Sequence, residues 1–139
     1  MEGTLGEIRL FAGPVDAATN MVPRGWKVCD GALLNIREQI ALYAVLGTTY
    51  GGDGITTFAL PDLRSRVPVG AGTAPGRPAY APGQQAGAEQ VPTQPVAVAT
   101  GGGAGTAVNS VAAASGNNLQ PVLALNYIIC FQGSFPQQS

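Results

Sequence analysis

Histidine is absent from this chain of 139 residues, and its absence removes the most common general base of enzymes. Nucleophile pairs of the Ser/His or Cys/His type are excluded for the same reason. The carboxylates of Asp53 and Asp62 are the nearest alternative, since carboxylate pairs hydrolyse glycosidic bonds, but nothing in their spacing favours that reaction. We therefore expect a protein that is not an enzyme, and we assign no catalytic residue.

Charge is also scarce, and it is unevenly distributed. Charged residues make up 11% of the chain, against about 25% in an average soluble domain. There is one lysine and the arginines are scattered, so the basic patch that nucleic acids require is missing. Every charged side chain lies at or before Glu89, and from Gln90 to Ser139 there is none. We expect no nucleic-acid partner, and we expect the neutral half to contact other protein surfaces.

Long apolar runs are missing as well. No stretch approaches the roughly 18 consecutive apolar residues of a membrane-spanning helix, so no membrane span is predicted. Residues 1–4 show neither the positive region nor the apolar region of a Sec signal peptide. We expect a protein of this kind to leave the cell by lysis, within a virion, or by another export route.

Metal and cofactor sites find little support in the composition. Cys29 and Cys130 are the two cysteines, and without histidine they cannot complete a tetrahedral transition-metal site. We assign no metal-binding and no cofactor-binding residue, although a calcium site made of oxygen ligands stays open. The two cysteines either form a disulfide that closes a loop of about a hundred residues or remain as buried thiols.

Local patterns predict a small α+β domain with short strands and one buried helix. Alternation over residues 7–12 indicates a strand with Ile8 and Leu10 inward, and a second strand is predicted over residues 25–29. Asn35, three residues before a glutamate, predicts the cap of a helix of about three turns that is buried on much of its circumference.

The C-terminal part predicts one further strand. Residues 119–131 are apolar on both faces, which is typical of a central strand. Before it, segments 95–100 and 106–114 are rich in Val and Ala and flank a glycine run, which favours a Gly/Ala/Val-rich β-arm, either a β-hairpin or a loosely ordered arm. We expect residues 91–115 to lie in a subunit interface, because small uncharged side chains cannot form a large core of their own.

Two loops carry residues that resemble functional sites. The sequence GGDG at 51–54 is typical of phosphate or calcium loops, but the Lys-Ser or Lys-Thr pair and the further oxygen ligands are missing, which favours a structural turn. Asp62, Arg64 and Arg66 indicate a loop held by an ion pair or by carboxylate-to-backbone bonds. A binding patch for a sugar or an acidic partner is the alternative for these three residues.

Four separated motifs occur in an order that resembles one family. They are GEIRLFAG at 6–13, RGWKVCDG at 24–31, YGGDGITTFALPDLRSRVPVG at 50–70, and NNLQPVLALNYII at 117–129. Together they resemble the phage tail collar domain family, including its small bacterial branch of microcystin-dependent proteins. Ser65 stands where that family usually has glycine. The histidines through which related fibres hold a metal on their threefold axis have no counterpart here.

The resemblance implies a domain organisation and a function. Residues 1–76 would form the N-terminal part of a collar-like domain, residues 77–116 a variable Gly/Ala/Pro-rich arm or insert, and residues 117–139 the strand that completes the domain. The protein would be a non-enzymatic, self-assembling homotrimer in a virion tail fibre or a tail-like extracellular appendage, attaching to a cell-surface glycan or receptor. The alternatives are a subunit of a self-polymerising extracellular filament and, with less support, a carbohydrate-binding module.

Overall fold

The structure of this chain, a computed structural model, describes residues 2–92 and 115–138. The chain divides into two compact units, one made of Met1–Gln84 with Ala124–Ser139 and the other of Gln85–Leu123. The elements in chain order are β1 (Ile8–Phe11), β2 (Trp26–Val28), β3 (Leu33–Asn35), α1 (Ile40–Leu46), β4 (Thr57–Ala59), β5 (Gln90–Pro92), β6 (Ser115–Asn117) and β7 (Asn126–Cys130). Short strands with one short helix agree with a small α+β domain.

The strand β7 lies at the centre of a three-stranded sheet with the order β1-β7-β2. Both neighbours run antiparallel to it, with Ile8 opposite Ile129 and Trp26 opposite Cys130. The prediction of a central C-terminal strand is confirmed. Because both of its edges are paired, β7 ties two N-terminal strands to the end of the chain.

The two faces of β7 contribute to two apolar clusters. Ile129 packs on one face with Cys29, Leu42, Phe58 and Leu60. On the other face, Ile128 and Cys130 pack with Trp26, and Phe11 and Val22 pack against that group. Successive side chains of a strand point to opposite faces, so one strand supplies both clusters.

The C-terminal strand is shorter than predicted. It begins at Asn126, and the preceding residues are irregular. Leu119, Val122 and Leu123 are exposed, which corrects the expectation that the strand begins at residue 119. The physical reason is Pro121, which cannot donate a backbone hydrogen bond to a neighbouring strand.

The inner face of β1 is opposite to the predicted one. Ile8 is 39% exposed and Leu10 is 58% exposed, whereas Phe11 packs against the cluster of Trp26. The guanidinium of Arg9 lies over the indole of Trp26, 4.8 Å from the ring centroid. Both sides of β1 carry apolar residues, Ile8 and Leu10 on one and Phe11 on the other. The side with Phe11 is inside because it contacts the cluster of Trp26.

The helix also differs from its prediction. It spans seven residues, Ile40–Leu46, and among them only Leu42 is buried. Asn35 does not cap it, because this residue ends β3, and its side-chain oxygen accepts a hydrogen bond from the Arg37 N–H at 2.9 Å. The predicted capping box and the three-turn buried helix are therefore wrong. Because Asn35 pairs with Thr57 of β4, it is held in a strand and is not available for the first turn of the helix.

A second, two-stranded sheet joins β3 to β4. Leu34 lies opposite Phe58, which is completely buried. The residues that follow the GGDG turn are therefore extended, as β4. The ring of Tyr43 in α1 contacts the ring of Phe58 in a tilted arrangement, with centroids 5.4 Å apart and an interplanar angle of 55°. This sheet and the helix therefore share one apolar cluster.

Gly6 shapes the entry into β1. The Glu7 N–H donates to the Thr4 carbonyl at 2.9 Å, which closes a tight turn with Gly6 at φ +82°. The Gly6 N–H donates to the Cys130 carbonyl, and the Cys130 N–H donates to the Glu7 carbonyl, so two residues oppose one as in a glycine β-bulge. A Cβ at this position would lie 2.9 Å from Val45 Cγ1, so only glycine fits without a shift.

The second unit contains a short antiparallel ribbon. In it, β5 pairs with β6, with Gln90 opposite Asn117. The Asn118 N–H donates to the Glu89 carbonyl at 3.0 Å and extends the ribbon by one bond. The Val- and Ala-rich segments predicted at 95–100 and 106–114, and most of the expected interface at 91–115, lie outside the described residues.

Replacing Trp26 with alanine tests the role of this side chain in the core. Trp26 is 7% exposed and packs with Ile128 and Cys130, so Trp26→Ala should lower the free energy of unfolding by about 3–5 kcal/mol. Urea titration followed by circular dichroism would measure the loss. Phe135→Ala, at a residue that is 56% exposed, is the control and should change stability by less than about 0.5 kcal/mol. Equal stability of the two variants would contradict the core assignment.

Candidate functional site

The carboxylates considered from the sequence are held in separate loops by separate partners. Among the described residues, no group of three or more His, Cys, Asp or Glu side chains is placed to hold a metal ion. Asp53 lies in the turn before β4, and Asp62 lies in the loop after it. The geometry around each carboxylate shows what it does.

Asp53 organises the GGDG turn. One of its carboxylate oxygens accepts hydrogen bonds from the N–H groups of Ile55, Thr56 and Thr57, each at 2.8 Å. The other oxygen accepts a hydrogen bond from the Thr56 hydroxyl at 2.7 Å. These donors, with the Thr57 N–H the strongest, hold the pKa of Asp53 well below its usual range. The arrangement supports the structural-turn interpretation of this loop.

Gly52 allows the same turn to lie against β4. Its φ is +94°, and a Cβ there would lie 2.4 Å from the Phe58 Cα. Beside this contact, the Ala59 N–H donates a hydrogen bond to the Gly51 carbonyl at 3.0 Å. Because backbone meets backbone here, any side chain at Gly52 would push the turn off the strand that carries the most buried aromatic residue.

Asp62 and Arg64 form a bidentate ion pair on the surface. The Arg64 Nε and Nη2 groups each donate to one oxygen of Asp62 at 2.8 Å. The Arg64 hydrogen bond is the main cause that lowers the pKa of Asp62 to about 2, and the charge of Arg66 also contributes. This pair agrees with the loop-holding interpretation. Ser65, which stands in place of the usual glycine, has a φ of +55°, so the loop keeps the left-handed turn without the glycine.

The two cysteines are both buried and are not bridged. Cys130 lies opposite Trp26, whereas the Cys29 N–H donates to the Tyr127 carbonyl three positions away along β7. An odd offset places two side chains on opposite faces of a sheet, which separates the thiols. Burial raises the pKa of the Cys29 thiol to about 12, with a further contribution from the charge of Asp30.

The surface that remains is rich in large apolar side chains. In the first unit, the exposed residues of this kind include Ile8, Leu10, Met21, Leu33, Ile40, Ile55, Val67, Val69 and Phe135. Among the described residues of the second unit they are Leu119, Val122 and Leu123. This surface was not predicted, because the sequence patterns placed Ile8, Leu10 and residues 119–123 inside. Pro121 was the available signal that the stretch is not a central strand.

Comparison with known families gives a match in the N-terminal part of the chain. Residues 6–68 match the family model of the Phage Tail Collar Domain. This part of the chain is similar to a phage tail collar domain. The family resemblance is thereby confirmed for the motifs within this range, while the motif at 117–129 lies outside the match. The match indicates a structural role in a phage tail fibre and a location in the virion tail. A search of curated proteins gives no significant match.

The three-stranded sheet extends beyond the matched residues. The match contains β1 to β4 and α1, while β7, at Asn126–Cys130, lies beyond its end. Since β7 is the central strand of the sheet, the matched residues share this sheet with the C-terminal segment. Across residues 2–92 and 115–138, no helix has the length and apolar character needed to cross a membrane.

The Asp62–Arg64 pair gives a pH-dependence prediction. The pKa of Asp62 is lowered to about 2 from an ordinary value of about 3.9, so its stabilising effect is present above about pH 4 and is lost as the pH falls toward 2. Asp62→Asn should therefore show a smaller drop in melting temperature between pH 5 and pH 2 than the parent. Added salt should reduce the difference in this drop between the parent and Asp62→Asn, because salt screens an exposed ion pair. Identical pH slopes for both proteins would refute this role.

Burial of the thiols predicts slow labelling. In the native protein at pH 8, a thiol reagent should react with Cys29 and Cys130 far more slowly than in denaturant, because both are buried and Cys29 resists ionisation. Thr73→Cys, which adds a thiol at an exposed residue, is the control and should react at once. Rapid labelling of both native cysteines would contradict the structure.

Proposed function

We propose that this protein is a self-assembling structural component of a tail fibre or of a tail-like extracellular appendage. The match of residues 6–68 to the collar domain supports the structural role. The observation that carries the self-assembly is the apolar surface of the described residues, because large exposed apolar patches are typical of interaction sites.

The open edge of β1 is part of that surface. In the register with β7, the backbone groups of Arg9 and Phe11 point toward β7, and those of Ile8 and Leu10 point away from it. No strand among the described residues pairs with this outer edge. An edge with free backbone groups and exposed apolar side chains favours association unless it is covered. Subunit assembly covers such an edge.

The proposed assembly is a homotrimer, as the family resemblance implies. A stable interface buries about 800 Å² on each partner, so it needs more than one of the exposed side chains described above. The neutral half from Gln90 to Ser139 supports the alternative of a self-polymerising filament, because it offers further uncharged surface for contact between units. A carbohydrate-binding module has weaker support, since Arg64, considered for a sugar patch, is engaged by Asp62.

Attachment belongs to the same proposal. Residues 77–116 form the variable arm in this proposal, and loops on a rigid scaffold commonly carry recognition. The partner there would be a cell-surface glycan or receptor, and the place of action a virion tail or an extracellular appendage. Catalysis has no part in this proposal.

The mass in solution tests the assembly. Light scattering coupled to size exclusion should give a particle of about three chains, each of 14.1 kDa, at micromolar concentration. Electron microscopy of the same sample separates discrete trimers from open filaments. A stable monomer at micromolar concentration would reject the self-assembly proposal, and long filaments would favour the polymer over the trimer.

A further inference from the structure

An open cavity lies where three segments of the first unit meet. The N-terminal residues, the turn before β2 and the loop after β7 surround a volume of about 570 Å³, which is within the range of small-molecule sites. The lining residues are Glu2, Arg24, Gly25, Gln132, Gly133 and Ser134. All of them belong to the first unit, and they differ from the residues that hold the GGDG turn and the Asp62 loop.

Backbone contacts fix the three segments around the cavity. The Gly25 carbonyl accepts a hydrogen bond from the Gln132 N–H at 3.2 Å, and the Ser134 N–H donates to the Gly3 carbonyl at 3.0 Å. A Cβ on Gly133 would overlap the Gly3 carbonyl oxygen, so the first and last of these segments pack backbone against backbone. A cavity whose walls are already fixed loses little conformational freedom when a ligand binds.

The polar side chains on the rim of the cavity have no ion pair and no side-chain hydrogen bond within the described residues. They are those of Glu2, Arg24, Gln132 and Ser134. Asp62 and Arg64, by contrast, bind each other through two hydrogen bonds. The rim therefore offers a carboxylate that accepts hydrogen bonds, a guanidinium that donates them, and an amide and a hydroxyl that do both. One negative and one positive side chain leave the rim without net charge.

We propose that this cavity binds a neutral sugar of a cell-surface glycan. The inference rests on the proposed attachment and places a glycan contact outside the variable arm. Sugar hydroxyls both donate and accept hydrogen bonds, so each type of group on the rim can bind one. Ligands with a net charge are disfavoured, because the Glu2 carboxylate repels anions and the Arg24 guanidinium repels cations. A peptide fits less well, since the lining residues include no large apolar side chain to contact an apolar anchor.

A matched pair of arginine substitutions tests the site. Arg24 and Arg37 are both exposed, and neither forms an ion pair within the described residues, but Arg37 does not line the cavity. Saturation-transfer NMR on the assembled protein measures the dissociation constants of glucose, galactose, mannose and N-acetylglucosamine, with glucuronate as the acidic probe. For the neutral sugar that binds most tightly, Arg24→Ala should raise the dissociation constant about tenfold, through loss of a charge-assisted hydrogen bond. Arg37→Ala should change it by less than about twofold, and circular dichroism checks that each variant is folded.

Each other outcome overturns a stated part of the inference. Failure of all four neutral sugars to bind at about 100 mM would overturn it and leave a protein receptor for the attachment. Binding of glucuronate alone would overturn the neutral-sugar assignment, and equal effects of Arg24→Ala and Arg37→Ala would overturn the site. Light scattering on the same sample reports assembly separately. A trimer that binds no probe overturns this inference alone, whereas a monomer that binds a neutral sugar through Arg24 rejects the self-assembly alone.

Discussion

The pairing of β7 on both edges is the constraint on which the structure of the first unit depends. It joins β1 and β2, from the start of the chain, to a strand that ends at Cys130. Its two apolar faces contribute to the two clusters, with Ile129 on one side and Ile128 on the other. Removal of the C-terminal segment would leave the matched collar residues without their central strand.

Around this sheet, the polar residues hold loops. Asp53 accepts hydrogen bonds from the backbone N–H groups of its own turn, and Asp62 pairs with Arg64 in the loop after β4. Both carboxylates have a lowered pKa because they accept hydrogen bonds in the ionised form. Glycines complete the loops where backbone meets backbone, as at Gly52. The motifs that resemble ligand loops therefore shape the chain, which fits a structural protein.

Large apolar side chains lie on the surface of the described residues as well as in the core. The core of the described residues is small, and many large apolar side chains remain at the surface. In a chain with 11% charged residues, few charges are available to keep such a surface solvated. The open edge of β1 is a place where a second copy would remove apolar surface from water. A role in which the protein acts as an assembly agrees with this balance.

The sequence by itself determined the features that depend on neighbouring residues. The order of the motifs indicated the collar family, the glycine and aspartate residues at 51–54 predicted a structural turn, and local patterns predicted strands over residues 7–12 and 25–29. Tertiary structure decided the inner face of β1, the fate of Asn35, and the separation of the two thiols. Each of these depends on a partner far away in the chain, such as Thr57 for Asn35. Local propensity permits two outcomes at these positions, and packing with the distant partner selects one of them.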